Sequence, residues 1–145
     1  MQIALLTCTK TNSRRISKKN IREFCGRRLL EYTLQTMQEL HIPSYIITAD
    51  VDHGKIALSY GVQIISEPSQ HISDSIPIVE KMLYVHDICN ADYYVLLQPT
   101  SPIRNKSKIK YWIDIVTKNN IKNGEKLLYL VSVRLTSSSG WVSLP

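Results

Sequence analysis

The sequence predicts an α/β sandwich with a mostly parallel sheet. Three observations predict it. Short apolar runs alternate with segments of helical periodicity along the chain. Several of the runs are continuously apolar instead of alternating with polar residues, as in strands covered on both faces. No internal repeat, linker or domain boundary interrupts the order, so residues 1–145 read as one domain.

The elements follow in order. "IALLTC" (3–8) is a buried strand. A polar, basic loop comes next. "LLEYTLQTMQEL" (29–40) spaces Leu30, Leu34, Met37 and Leu40 along one helical face. "HIP" breaks it before "SYIITA" (44–49), a second strand rich in β-branched residues. "DVDHGKIALSYG" (50–61) reads as a helix ended by Gly61. Its "DVD" start is either a cation site or, as carboxylates suit the helix dipole, a helix N-terminus. "VQII" (62–65) is a third strand. "DSIPIVEKMLYVHDIC" (74–89) is a helix with Asp74 as cap, Pro77 in the first turn, and Ile78, Met82, Val85 and Cys89 on one face. "DYYVLLQPTSPIR" moves from a strand at 93–97 into a loop stopped by Pro99 and Pro102. "NKSKIKYWIDIVTKNN" (105–120) is amphipathic, and "KLLYLVSV" (126–133) predicts a final strand. "RLTSSSGWVSLP" has turn and loop composition.

Charge is uneven along this chain. Residues 1–28 hold eight basic side chains against Glu23 alone; the remainder holds ten basic and eleven acidic. Concentrated positive charge points to an anionic partner. No apolar stretch is long enough for a membrane span, and the N-terminus lacks the basic lead-in of a signal peptide. The three cysteines have no metal-type spacing, which predicts a reducing, cytoplasmic setting. The histidines at 41, 53, 71 and 86 have no ligand spacing to one another and read mostly as surface residues.

In an open parallel sheet, ligands bind beyond the carboxyl ends of the strands. Two such ends carry unusual loops. After 3–8, small turn-forming residues (Thr9, Thr11, Asn12, Ser13) can aim backbone N–H groups inward, and Lys10, Arg14, Arg15 and Lys19 can neutralise a polyphosphate. On residue types alone, the loop reads equally well as a solvated basic surface that touches nucleic acid without specificity. Neither GxxxxGK[ST] nor GxGxxG is present. After 93–97, "QPTSP" places an amide and two hydroxyls between stiff prolines, which is either a preorganised site or a turn whose Ser101 caps the next helix. Interleaved aromatics for base stacking are missing from the basic end, so no specific nucleic-acid partner is expected.

Taken together, the motifs resemble one family. "SRRISKKNIREFCGRRLLEYT" resembles the opening motif of the acylneuraminate cytidylyltransferases, the CMP-sialic acid synthetases, at Ser13, Arg15, Ile16, Lys19, Asn20, Phe24, Gly26, Leu29, Tyr32 and Thr33. "ITADVDHGKIALSYGVQII", "SEPSQHISDSIPIVEKML" and "LLQPTSPIR" resemble three later family motifs in the same order, over residues 3 to about 133. The resemblance implies a three-layer, nucleotide-diphospho-sugar-transferase-like sandwich. It implies transfer of CMP from CTP to a sialic-acid-like sugar acid, with release of pyrophosphate, in the biosynthesis of surface polysaccharide. It gives Lys19 and Arg15 the catalytic positions, with Lys19 at the α-phosphate. Lys10, Asn12, Ser13, Asn20, Asp74 and Ser75 take nucleotide-binding positions. Gln98, Pro99, Thr100, Ser101 and Arg104 border the sugar. It also implies Mg²⁺, whose usual Asp-x-Asp ligands belong to a part of the family domain that the chain lacks, so the metal ligands are unknown. The family's dimer arm is in that part too, which leaves a homodimer open. The departures are Lys10 for Arg, Thr11-Asn12 for Gly-Gly, Ser17 for Pro, and Glu67 for Arg. The last predicts a charge reversal beside the nucleotide. The competing expectation is a truncated, inactive relative that binds a nucleotide or a protein partner.

Overall fold

The computed structural model of the chain describes residues 2–10, 16–72 and 76–118. Within them, β1 (Ile3–Cys8), β4 (Ser44–Thr48), β5 (Gln63–Ser66) and β6 (Tyr93–Leu96) form a parallel sheet in the order β5-β4-β1-β6. Between β1 and β4 come a hairpin of β2 (Glu23–Phe24) and β3 (Arg27–Arg28), then helix α1 (Leu29–Leu40). Helices α2 (Val51–Ser59), α3 (Ile78–Cys89) and α4 (Lys106–Lys118) complete the described elements. The α/β expectation holds in three layers.

Side-chain alternation on each strand builds those layers. Leu5 and Ile46 point to one face, where they pack with Leu30, Leu34 and Met37 of α1, Ile56 and Ala57 of α2, and Ile109 of α4. Ala4, Leu6, Ile47 and Ile65 point to the other, against Met82 and Val85 of α3. Both faces of the sheet are therefore apolar, which explains the continuous runs in the sequence. Gly54 of α2 lies over β5 so closely that a Cβ there would sit 3.0 Å from Ile64 Cδ1. A side chain at that position would press on the tip of the exposed Ile64 side chain, which would have to shift by a few tenths of an ångström.

Most predicted boundaries move by a residue or two. Helix α3 moves more: it starts at Ile78, with Pro77 outside as N-cap and not in the first turn. A residue before proline is pushed out of the helical region, so Ile76 cannot belong to the helix. Asp74 and its capping role fall outside the described residues, as do the predicted strand at 126–133 and the last two residues of the predicted helix at 105–120. Helix α4 is capped by Asn105, whose Oδ1 accepts the Lys108 N–H at 3.0 Å, and not by Ser101.

Candidate nucleotide site at the sheet edge

From β1 the chain builds outward to β4 and β5, then returns to add β6 on the other side of β1. The order reverses between β1 and β6, and the crevice at their carboxyl ends is where such sheets bind ligands. Both sequence-predicted loops leave from there.

The basic loop has two anchored feet. At the first, Thr9 N–H donates to Ile47 O at 3.2 Å, extending the ladder past β1. At the second, Lys18 takes a left-handed conformation (φ 49°) and a 3₁₀ turn follows over Lys19–Ile21. Buried Asn20 in that turn donates from Nδ2 to Lys10 O at 3.4 Å. The structure thereby brings Lys10 and the Lys19–Asn20 turn together. Asn12, Ser13 and Arg15 fall outside the described residues, as does Ser75.

Beyond the turn, the small hairpin was not foreseen in the sequence. Cys25 and Gly26 both have positive φ, 50° and 80°, the geometry of a tight two-residue hairpin turn. Tyr32 Oη donates to Phe24 O at 2.7 Å and to Cys25 O at 3.0 Å, and its ring meets Phe24 edge-on. These contacts give Phe24, Gly26 and Tyr32 a local job: they fix the end of the basic loop to α1.

The second loop is fixed to the same helix. Leu97 N–H donates to Leu6 O at 2.8 Å, and Ser101 N–H closes a tight turn on Gln98 O at 3.1 Å. Pro99 is buried; Gln98 and Thr100 are exposed, and Ser101 is half-buried. Arg104 donates from Nη1 to Thr33 Oγ1 of α1 at 2.9 Å and from Nη2 to Gln98 O. Burial pulls its guanidinium down to about 10, still charged at neutral pH. Arg104 is thus committed to bracing the turn, and the exposed Gln98 and Thr100 side chains are what the turn presents.

Beneath the loops lies a polar floor that the sequence reading missed. His53, expected at the surface, is 2% exposed. Its Nδ1 is 3.1 Å from Thr9 Oγ1, which in turn lies 2.8 Å from Thr48 Oγ1. Thr48 Oγ1 also accepts the Asp50 N–H at 3.1 Å. Asp50 Oδ1 caps α2 by accepting from Asp52 N–H at 2.9 Å and His53 N–H at 3.2 Å, so "DVD" starts a helix. Burial lowers the His53 pKa below its ordinary value, and Asp50 and Asp52 partly oppose that. The imidazole is neutral at neutral pH.

On the α3 side of the sheet, Glu67 pairs with Lys81, both almost wholly buried. Glu67 N–H also donates to Thr48 O at 3.1 Å. The expected charge reversal beside the nucleotide is corrected here: the Glu67 carboxylate is turned inward and neutralised. Burial pushes the neighbouring Cys8 thiol up to about 12, with Lys81 lowering it and Glu67 raising it.

Comparison with known proteins identifies the family and the fold. The cytidylyltransferase family profile matches residues 8–137. The chain belongs to the cytidylyltransferase family. An N-acylneuraminate cytidylyltransferase of Escherichia coli O18:K1:H7 (strain RS218 / NMEC) is 30% identical over an alignment of 112 residues, covering 74% of this chain and 26% of that protein. Among solved structures, CMP:2-keto-3-deoxy-manno-octonic acid synthetase complexed with CTP superposes with a TM-score of 0.71 at 13% identity, covering 83% of this chain and 49% of that one. A cytidylyltransferase from Leptospira borgpetersenii serovar Hardjo-bovis (strain JB197) gives 0.69 at 16% identity, covering 83% and 51%. At such identities the likeness is one of fold. This cytidylyltransferase-family chain spans 26% of the length of the curated relative and about half of the solved ones.

A magnesium ion would need a cluster of oxygen ligands. Among the described residues, no three His, Cys, Asp or Glu side chains cluster as a metal site. Asp50 is occupied by the α2 cap and Glu67 by Lys81. The described residues do not fit the ion.

Proposed function

We propose that this chain binds CTP at the β1/β6 crevice and transfers CMP to a sialic-acid-like sugar acid, releasing pyrophosphate. The observation that carries the reading is the convergence of the basic loop and the QPTSP turn on one crevice, each tied to α1, at the point where strand order reverses. In the proposed reaction the sugar hydroxyl oxygen attacks the α-phosphorus in line. The bond to the β-phosphate oxygen breaks, pyrophosphate leaves, and the hydroxyl proton is lost to solvent. Such a step needs placement and charge neutralisation more than covalent help. Lys10 and Arg15 face the triphosphate, Lys19 faces the α-phosphate, and Asn12 and Ser13 add polar contacts. Asn20 holds the Lys10 carbonyl and so ties the two feet of the loop together. Asp74 and Ser75 border the nucleotide. Gln98, Thr100 and Ser101 meet the sugar, with Pro99 and Arg104 stiffening the turn beneath them. The setting proposed for this work is cytoplasmic, and among the described residues no helix is long and apolar enough to cross a membrane.

A second reading, nucleotide binding without transfer, is favoured by the commitment of Asp50 and Glu67 to other partners. A pyrophosphate-release assay with CTP, Mg²⁺ and a panel of sialic acids separates the two. Release that depends on the sugar acid supports transfer; CTP binding without release supports the second reading.

A further inference from the structure

The polar floor carries an inference that rests on the nucleotide-site reading and deepens it. We propose that His53 is the positioning residue of the nucleotide loop, acting through the Thr9 hydroxyl.

Thr9 is the last residue of the chain held by the sheet before the basic loop begins. Its N–H is taken by Ile47 O, and its hydroxyl is held between His53 Nδ1 and Thr48 Oγ1. All three side chains are 4% exposed or less. The residue after it, Lys10, is exposed and offers its carbonyl to Asn20. The direction in which the loop leaves the sheet is therefore set at Thr9. Thr48 and His53 come from β4 and α2, so the anchor joins three elements. Asp50 completes it, since its backbone N–H reaches Thr48 and its carboxylate orders the α2 turn that carries His53.

The hydroxyl pair can run in either direction, and a neutral imidazole serves both. If Thr9 donates to Thr48, His53 Nδ1–H donates to Thr9. If Thr48 donates to Thr9, Thr9 donates to a bare Nδ1. A volume-filling side chain at position 53 does neither, and it leaves a buried hydroxyl short of a partner.

The test compares His53→Leu, His53→Asn and His53→Gln in the whole chain. Asparagine puts its amide where Nδ1 lies, whereas glutamine reaches to the Nε2 position. Limited trypsin digestion reads the loop directly, through cleavage after Lys10, Lys18 and Lys19. Cleavage after buried Lys81 reports global opening, because slow cleavage tracks the open population. We expect His53→Leu and His53→Gln to speed loop cleavage about ten-fold, equivalent to 1.4 kcal/mol, with cleavage at Lys81 unchanged. His53→Asn restores protection. CTP affinity follows the same order, weakening about ten-fold and recovering in His53→Asn. If His53→Leu does not fold, Thr9→Val removes the same hydroxyl from the other side and carries the test. Loop and Lys81 cleavage rising together would make His53 a packing residue and overturn the proposal, as would glutamine protecting as well as asparagine. Should the wild-type chain not bind CTP, the nucleotide reading fails, and the trypsin comparison still decides the role of His53.

Discussion

The buried Glu67–Lys81 pair gives the sharpest quantitative prediction. Both side chains are 4% exposed or less, one at the end of β5 and the other on α3. Replacing Lys81 by Met keeps the stem and removes the ammonium. It leaves the Glu67 carboxylate buried near Cys8 with no counter-charge. Removing one partner of such a pair costs about 3–5 kcal/mol. Against a total stability of roughly 5–15 kcal/mol, that is a large share. Glu67→Leu alone strands the ammonium and costs a similar amount. Glu67→Leu with Lys81→Met strands nothing, and replacing both ions by apolar groups is often neutral or stabilising. The double variant therefore regains most of what either single variant loses. Urea unfolding followed by circular dichroism, on all four proteins at neutral pH, gives the coupling directly. High salt should leave it nearly intact, because a buried pair is weakly screened. The exposed Lys106–Glu39 pair, with side chains 50% and 34% exposed, serves as the salt-sensitive contrast. Losses that add within about 0.5 kcal/mol in the double variant would refute the reasoning. So would a cost below about 1 kcal/mol for Lys81→Met, the scale of a surface pair.

Three further outcomes follow. Lys19→Ala and Arg15→Ala each weaken CTP binding by about 1.5–3 kcal/mol, the range for hydrogen bonds to charged groups; calorimetric titration giving wild-type affinity for both removes them from the site. Arg104→Ala releases Gln98 O and Thr33 Oγ1 together and lowers stability by about 1.5–3 kcal/mol, whereas Arg104→Lys, without the fork, recovers only part of it; full recovery in the lysine variant by urea unfolding argues against the two-ended brace. The His53 pKa is lowered in the folded chain, so the unfolded chain takes up the proton first. Stability is then fully present above the usual histidine value of about 6.5 and falls as pH drops below it until the folded pKa is passed. Melting temperatures measured across that window should fall less in His53→Asn than in the wild type, and equal slopes would show that His53 does not carry the effect.

The parts of the fold that depend on local pattern were legible. "IALLTC" and "SYIITA" announce strands because both faces of the sheet are covered, and "LLEYTLQTMQEL" announces α1 because one stripe of it meets the sheet. The two loops of the proposed site were legible for the same reason: they are the polar interruptions after buried strands. What depends on partners far along the chain was not. His53 sits in the polar stretch "DVDHG", and its burial comes from Thr9, 44 residues away. Glu67 read as a charge beside the nucleotide because Lys81, 14 residues on, could not be assigned to it without knowing that β5 and α3 pack together. The hairpin was hidden because its turn uses Cys25 in a left-handed conformation, where Asn or Asp is the usual signal before glycine. The resemblance puts Arg104 beside the sugar, but its hold on α1 was not legible; only the fold brings Thr33 within its reach.

The most direct test of the central claim is a calorimetric titration of the chain with CTP, beside ATP, GTP and UTP. The nucleotide-site account predicts saturable binding of CTP in clear preference to the other three. No nucleotide binding, or equal binding of all four, would contradict it.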